Sequence, residues 1–369
     1  MAEFNPRRLT LARRRRGMTK RALATSLEVS ERIVNAYEAG AKEPSDETLG
    51  RLVQTLSFPA TFFQMPDPAQ LPEGGPTFRS LSRMPAAKRD RALAGGELGI
   101  ELSNWLEERF ELPKPDVPDL RYTKDPESAA LALRTRWKLS DKPIAHMVRL
   151  LEAKGVRVFS LAEEGDEVDA FSFWDGERPF IFLNTMKSSE RSRFDAAHEL
   201  GHLVLHKHGS LGGRAAEQEA DRFASAFLMS QSSILSSGPW FPTLELLIKA
   251  KRGWNVAVSA LAYRLHSLEL ISDWHYRMLC IEIQQSGYRT AEPESAPREM
   301  SLVFEKMFET LRAEGKNKAA VAEDLSWPVS ELSALVFGLV MHVRGNGSSH
   351  RSQQSRSSAN APGGLSLLS

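Results

Sequence analysis

The sequence predicts a mainly α-helical protein with a small β-sheet, an α+β fold class divided into several domains. Apolar residues recur at helical spacing between residues 5 and 63 and again from residue 194 onward. Three short runs rich in aromatic and β-branched residues, at 156–159, 170–173 and 180–183, have the composition of strands. A chain of 369 residues also exceeds the length at which one hydrophobic core stops growing.

The first 63 residues predict a bundle of short helices. One helix begins near Leu9, Thr19 can cap a second, and Ser30 can cap a third. Gly40 and Pro44 end this unit, and a further helical pattern follows them. The turn at 28–30 joins the second and third helices at the spacing of a helix-turn-helix motif.

Basic residues are concentrated in this same segment, although the net charge of the whole chain is only +1. Such clustering places any contact with a polyanion here. We therefore expect the run from Arg13 to Arg16 to neutralise phosphates. The clustered cations are Arg7, Arg8, Arg13, Arg14, Arg15, Arg16, Lys20 and Arg21.

Four short motifs here, at 16–19, 29–30, 37–40 and 42–45, resemble the Cro-like (Xre-type) DNA-binding domain over about residues 5–63. The resemblance implies a five-helix domain that binds double-stranded DNA, usually as a homodimer on a two-fold site. It also implies that Thr19 and Lys20 contact backbone phosphate, although the family often has glutamine where Lys20 stands. The residues implied to face the major groove are Ser30, Glu31, Arg32 and Asn35.

The stretch 198–202 reads His-Glu-Leu-Gly-His within an apolar helical run, 194–205. Helical residues four apart lie on one face, roughly 6 Å apart, so His198 and His202 can bind one zinc ion. The ion would lower the pKa of its bound water towards about 7, and Glu199 would act as general base. A bare motif of this kind also occurs by chance on ordinary amphipathic helices.

A third ligand would distinguish a metal site from that chance match. Glu217 lies in the next helical pattern, 214–229, and Asp221, one turn on, can accept the ring N–H of a ligand histidine. His208 competes for the third position, but that geometry needs glycine at position 205, where Leu205 stands. Glu217 is therefore the preferred ligand.

Two neighbouring side chains receive no role as ligands. His206 lies two turns from His198, about 12 Å along an uninterrupted helix, so it is expected at the surface or behind a ligand. Glu219 points away from the face of Glu217 if that helix is regular, so we expect a solvated charge.

Taken together, residues 193–202, 217–224 and 227–229 resemble the ImmA/IrrE family of metallopeptidases over roughly residues 121–288. The resemblance implies a gluzincin-like domain that holds Zn²⁺ and cleaves, or otherwise inactivates, a helix-turn-helix repressor. Ser230 stands where the family often has proline, and Asp221 replaces the more frequent asparagine. Neither departure removes a proposed ligand.

Composition divides the chain into five predicted segments, and we detect no internal repeat. They are a Cro-like domain (1–63), a Pro-rich linker with a connecting helix (64–120), a peptidase-like domain (121–240), a helical C-terminal region (241–343) and a disordered tail (344–369). A single cysteine, Cys280, excludes an internal disulfide and a cysteine-based zinc site. The absence of any signal-peptide or membrane-spanning run predicts a cytoplasmic protein without a membrane partner.

The sequence therefore predicts a transcriptional regulator in which a Cro-like domain brings a zinc endopeptidase to a DNA-bound repressor. Two alternatives remain open. The peptidase fold is a sensing or partner-binding module of a plain transcription factor, or the chain is an antitoxin that binds a toxin and its own promoter. Glu199 favours catalysis, because a pure binding module needs no general base.

Overall fold

A computed structural model describes residues 3–72, 85–161, 170–207, 213–239 and 241–337. The predicted disordered tail at 344–369 and the competing ligand His208 lie outside these ranges. Within them the protein is mainly helical with one three-stranded sheet, which confirms the predicted fold class. No helix in the described ranges is long and apolar enough to cross a membrane.

The amino-terminal domain consists of four α-helices followed by a 3₁₀ helix, which agrees with the predicted five helices. Thr19 caps α2 as expected, since its side chain accepts a hydrogen bond from the Ala22 amide. Ser30 precedes α3, but its side chain makes no capping bond, so that detail of the prediction is wrong. The elements are α1 (Pro6–Arg15), α2 (Lys20–Ser26), α3 (Glu31–Glu38), α4 (Asp46–Leu56) and the 3₁₀ helix Ala60–Gln64.

The connecting helix α5 (Ala86–Glu107) packs between α1 and the sheet. A close approach is possible because Gly99 has no side chain, and a Cβ there would lie 2.4 Å from Cζ of Phe182. Three further α5 residues, Leu98, Leu102 and Leu106, are buried as their helical spacing predicts.

The sheet has the order β1-β3-β2, with β1 parallel and β2 antiparallel to β3. Its strands are β1 (Arg157–Leu161), β2 (Ala170–Asp175) and β3 (Arg178–Asn184), so each predicted strand is present. Stacked phenylalanines form one face, including Phe171 and Phe182 at 4.7 Å between ring centroids. Helix α6 (Pro126–Arg136) and helix α7 (Met147–Ala153) precede the sheet.

Two long helices follow the sheet and carry the candidate site. Helix α8 (Ser189–Leu205) packs against β2 and β3, and α9 (Arg214–Leu228) packs against α8 and α6. Gly201 lets these helices approach, because a Cβ there would lie 3.3 Å from Cα of Ala220. The two predicted helical patterns thus form one buried pair of helices.

Seven further helices complete the described chain: α10 (Gln231–Ser237), α11 (Leu244–Lys251), α12 (Val258–Ser267), α13 (Asp273–Gln285), α14 (Leu302–Ala313), α15 (Lys318–Asp324) and α16 (Val329–Leu335). Leu261 and Leu265 of α12 are buried. Helix α14 packs against α7, and α16 packs against β1. The last three helices therefore rest on the sheet-containing part of the protein.

Candidate metal centre and DNA-binding face

Three predicted ligands meet where α8 faces α9. The two Nε2 atoms of His198 and His202 lie 3.1 Å apart. Carboxylate oxygens of Glu217 lie 3.4 Å from Nε2 of His198 and 3.6 Å from Nε2 of His202. A tetrahedral zinc ion with bonds of about 2.0–2.1 Å separates its ligand atoms by about 3.3–3.4 Å. The spacing of the three donor atoms therefore fits zinc, and they form a group that could hold a metal ion.

Local structure explains why these side chains converge. Ser188 caps α8 by accepting from the Arg191 amide, which fixes the start of the helix. His198 and His202 follow on one face, one turn apart. Glu217 lies in the first turn of α9 and reaches both rings from the opposing helix.

Hydrogen bonds behind the two imidazoles hold their orientation. Asp221 lies 2.8 Å from Nδ1 of His198, as the sequence predicts. Nδ1 of His202 instead meets Nδ1 of His206 at 3.0 Å, and Nε2 of His206 meets Glu219 at 2.9 Å. If Nε2 of His202 is a ligand, its Nδ1 carries the proton and donates to His206, which in turn donates to Glu219.

This chain of contacts decides one expectation and corrects another. Of the two places expected for His206, the structure shows the second, because His206 is buried and lies behind His202. Glu219 is not a merely solvated charge, because it accepts from the His206 ring. The physical reason is that α8 ends at Leu205, so His206 leaves the helical path and turns its ring towards the flank of α9.

Glu199 lies beside the three donors and is buried, with 3% of its surface exposed. Burial raises the pKa of Glu199 to about 7, although the charge of His198 and a hydrogen bond from Ser172 act in the opposite direction. The Ser172 hydroxyl donates to the Glu199 carboxylate at 2.6 Å. Sequence reasoning missed Ser172, whose one signal is a polar residue between two phenylalanines in a strand.

The carboxylates around the two histidines stabilise a positive charge at His198. Burial lowers the pKa of His198, but hydrogen bonds to Asp221 and Glu217 outweigh it and raise that pKa to about 10. Burial and the neighbouring His198 and His206 lower the pKa of His202. The carboxylates thus hold positive charge at His198, while His202 stays neutral and able to donate a lone pair.

The side chains of the arginine run are paired with carboxylates, which argues against the expectation that this run neutralises phosphates. Its side chains turn inward and pair with glutamates that lie far away along the chain. A residue that is already paired with a carboxylate releases few counterions on binding DNA. The pairs are Arg8 with Glu101, Arg13 with Glu38, Arg14 with Glu97, and Arg15 and Arg16 with Glu331.

The predicted groove-facing residues do lie on the outer surface of the first three helices. Glu31, Arg32 and Asn35 of α3 are exposed. Lys20 is only partly exposed, donates to Oδ1 of Asn35 at 2.7 Å and lies 3.2 Å from Glu38. The exposed set also includes Thr19 and Ser30.

Comparison with known families identifies the type of two domains of the chain. Residues 151–266 match a peptidase family model described as the IrrE N-terminal-like domain, and residues 9–63 match a helix-turn-helix model. No curated protein matches the chain. The chain therefore joins a helix-turn-helix DNA-binding domain to a peptidase-type domain, as the sequence predicts.

Proposed function

We propose that the protein is a transcription regulator whose peptidase-type domain is a zinc-dependent endopeptidase acting on a partner repressor. His198, His202 and Glu217 would hold the zinc ion. One observation carries the proposal: three donor atoms on two helices converge at tetrahedral spacing beside a buried glutamate. A purely structural pair of helices has no need of this combination.

Zinc, when bound, supplies a Lewis acid that polarises a peptide carbonyl and makes water more acidic. Glu199 is the proposed general base, because it is a buried carboxylate next to the proposed ligand His198 and is not itself one of the three ligands. Ser172 holds the Glu199 carboxylate by donating to it. Asp221 and His206 fix the ring orientations of the two histidines.

The substrate would be an extended peptide that pairs with β2. Within the described residues, β2 is an edge strand of the sheet and packs against α8. The unpaired edge of a strand offers a row of backbone donors and acceptors, which is how extended peptides commonly bind. In β2 the partly exposed residues are Trp174 and Asp175 at the end of the strand, so pairing would begin there. Pairing there would lay the peptide beside the helix that carries His198 and His202.

The helix-turn-helix domain would deliver this activity to DNA. We propose that Arg32 and Asn35 read base edges in the major groove, where guanidinium and amide groups suit guanine and adenine. Thr19 and Lys20 would contact phosphate, and Ser30 and Glu31 would lie at the groove. A repressor bound nearby would then be the local substrate.

Metal analysis tests the proposed centre. We expect one zinc per chain, lost in both His198→Ala and Glu217→Ala, because a site with three protein ligands cannot spare one. Glu245→Ala, which removes an exposed carboxylate on α11, serves as the control and should keep full occupancy. A zinc-free wild-type protein, or full occupancy in Glu217→Ala, would contradict the assignment.

Cleavage of a defined peptide mixture, read by mass spectrometry, tests the chemistry. Glu199→Gln should keep zinc and lose the products that the wild-type protein forms, because an amide cannot take a proton from water. Undiminished cleavage by Glu199→Gln would rule out the mechanism. Zinc binding without any cleavage by the wild-type protein would instead favour the sensing module.

A further inference from the structure

The last three described helices repeat the backbone conformation of the first three. Corresponding residues are separated by the same number of positions throughout, which is the separation between Gly17 and Gly315. We call residues 6–38 the first unit and residues 304–336 the second unit. Both glycines follow the opening helix with a positive φ, +63° and +75°. Both next helices begin with a capping side chain, since Thr19 accepts from Ala22 and Asn317 accepts from Ala320.

The turns between the second and third helices also match. Each has a residue in the left-handed region, Glu28 at +56° and Ser326 at +55°. Each is closed by equivalent backbone hydrogen bonds, such as Val29 to Ala24 and Trp327 to Ala322. This is the turn that defines the helix-turn-helix in the first unit.

The cores correspond as well. Paired positions are buried in both units: Leu9 and Met307, Leu23 and Val321, Val34 and Leu332, Tyr37 and Leu335. Even a surface contact recurs, since Lys318 donates to Ser333 as Lys20 donates to Asn35. The sequence shows no internal repeat because the correspondence is one of backbone geometry with few identical side chains.

The second unit has lost the side chains proposed to read bases. Val329, Ser330 and Ser333 stand at the positions of Glu31, Arg32 and Asn35. None of the three offers the paired donors that guanidinium or amide groups present to base edges. This surface is therefore unsuited to reading a sequence.

The third helix of the second unit contacts the first unit instead. Glu331, at the position of Ile33, is buried and accepts a hydrogen bond from Nε of Arg15 at 2.8 Å. Arg16 pairs with the other oxygen of the same carboxylate. Arg15 is also buried, so the second unit meets the first through a desolvated ion pair.

The opposite end of the second unit is fixed to the peptidase-type domain. Glu152 of α7 accepts from the amides of Leu302 and Val303 and from the Ser301 hydroxyl, so it caps α14 from outside. The Phe304 ring of α14 packs against Phe159 of β1 at 5.6 Å between centroids. One unit thus contacts both functional parts of the chain.

We propose that the second unit, residues 304–336, is a second helix-turn-helix that works as an internal docking module. It binds the first unit through Glu331 and the peptidase-type domain through α14. The reading helix α3 and the candidate metal centre are thereby held in one body. This inference does not rest on catalysis, since a sensing domain would be coupled to DNA in the same way.

Hydrogen exchange of the full chain, read peptide by peptide, tests the docking. Glu331→Gln removes the buried negative charge that pairs with Arg15 and Arg16, so exchange in α1 and α16 should rise at least tenfold, while α8 stays as in wild type. Glu323→Gln removes an exposed carboxylate from the same unit and is the matched control. Unchanged exchange in α1, or a rise confined to α16, would overturn the docking.

Two more variants keep the test decisive. If Glu331→Gln does not fold, Glu331→Asp replaces it. The shorter side chain moves the carboxylate away from Arg15 and Arg16 but keeps its charge, and hydrogen exchange in α1 and α16 should again rise. Ser330→Ala combined with Ser333→Ala should bind duplexes selected from a random pool as wild type does, within twofold. Weaker binding by that double variant would make the second unit a DNA reader and overturn the proposal.

Discussion

Replacing Glu299 by glutamine should lower the stability of the fold at neutral pH and make it less sensitive to acid. The Glu299 carboxylate accepts from the Val148 amide at 2.8 Å and pairs with Arg193 of α8 and with His146. Burial alone would raise the pKa of Glu299, but these partners outweigh it and lower that pKa from 4.5 to about 2. The group therefore favours the folded state whenever it is ionised.

The size of the effect follows from this pKa. One pKa unit corresponds to about 1.4 kcal/mol, so the fall to about 2 amounts to roughly 3 kcal/mol of folding free energy. Because the folded-state pKa is the lower one, this stability is fully present above about pH 4.5 and is lost as the pH falls towards 2. Glu299→Gln should be less stable than wild type by this amount at pH 7.

Urea unfolding at pH 7, 5 and 3 measures the difference. The gap between wild type and Glu299→Gln should be nearly constant from pH 7 to 5 and smaller at pH 3. Glu305→Gln is the control, because Glu305 is 45% exposed beside Arg149 and its pair should contribute less than about 1 kcal/mol. A gap that does not shrink in acid would refute the role given to the Glu299 charge.

Three other perturbations test separate parts of the structure. Arg32→Ala should weaken binding to a selected duplex by about 1–3 kcal/mol and affect random duplex much less, and equal loss on both would show a phosphate contact. Glu219→Gln should lower zinc affinity about 10–100-fold in competition with a chelator, because His206 loses its anionic acceptor; unchanged affinity would leave Glu219 without a role. Gly99→Ala should cost about 1–3 kcal/mol in urea unfolding, since its methyl group would meet Phe182, and an unchanged midpoint would show that the ring can move.

Local patterns in the sequence predict much of the architecture. Thr19 caps α2 because a hydroxyl one position before a helix satisfies an amide within three residues, and such a contact is readable from a short window. The spacing of His198 and His202 fixes their common face for the same reason. Glu217 could be identified as the preferred third ligand because the apolar pattern at 214–229 predicts which residues of that helix share a face.

Contacts between distant segments could not be read in this way. Arg15 looks like part of a basic run, and its partner Glu331 lies near the other end of the described chain. The sequence left two places open for His206, because the choice between them depends on α8 ending one residue earlier and on the neighbouring flank of α9. Ser172 contacts Glu199 across a strand and a helix, a pairing that depends on how the sheet packs.

The inward-facing arginines affect how the protein would search for its target. Attraction to bulk duplex grows with the number of cations able to displace counterions, and it sets how long a protein dwells on unrelated DNA. Arg8 and the run from Arg13 to Arg16 are paired with glutamates, so these five cations contribute less to that attraction than their number in the sequence suggests. A larger share of the residence time on DNA would then depend on the side chains of α3 that fit the correct bases.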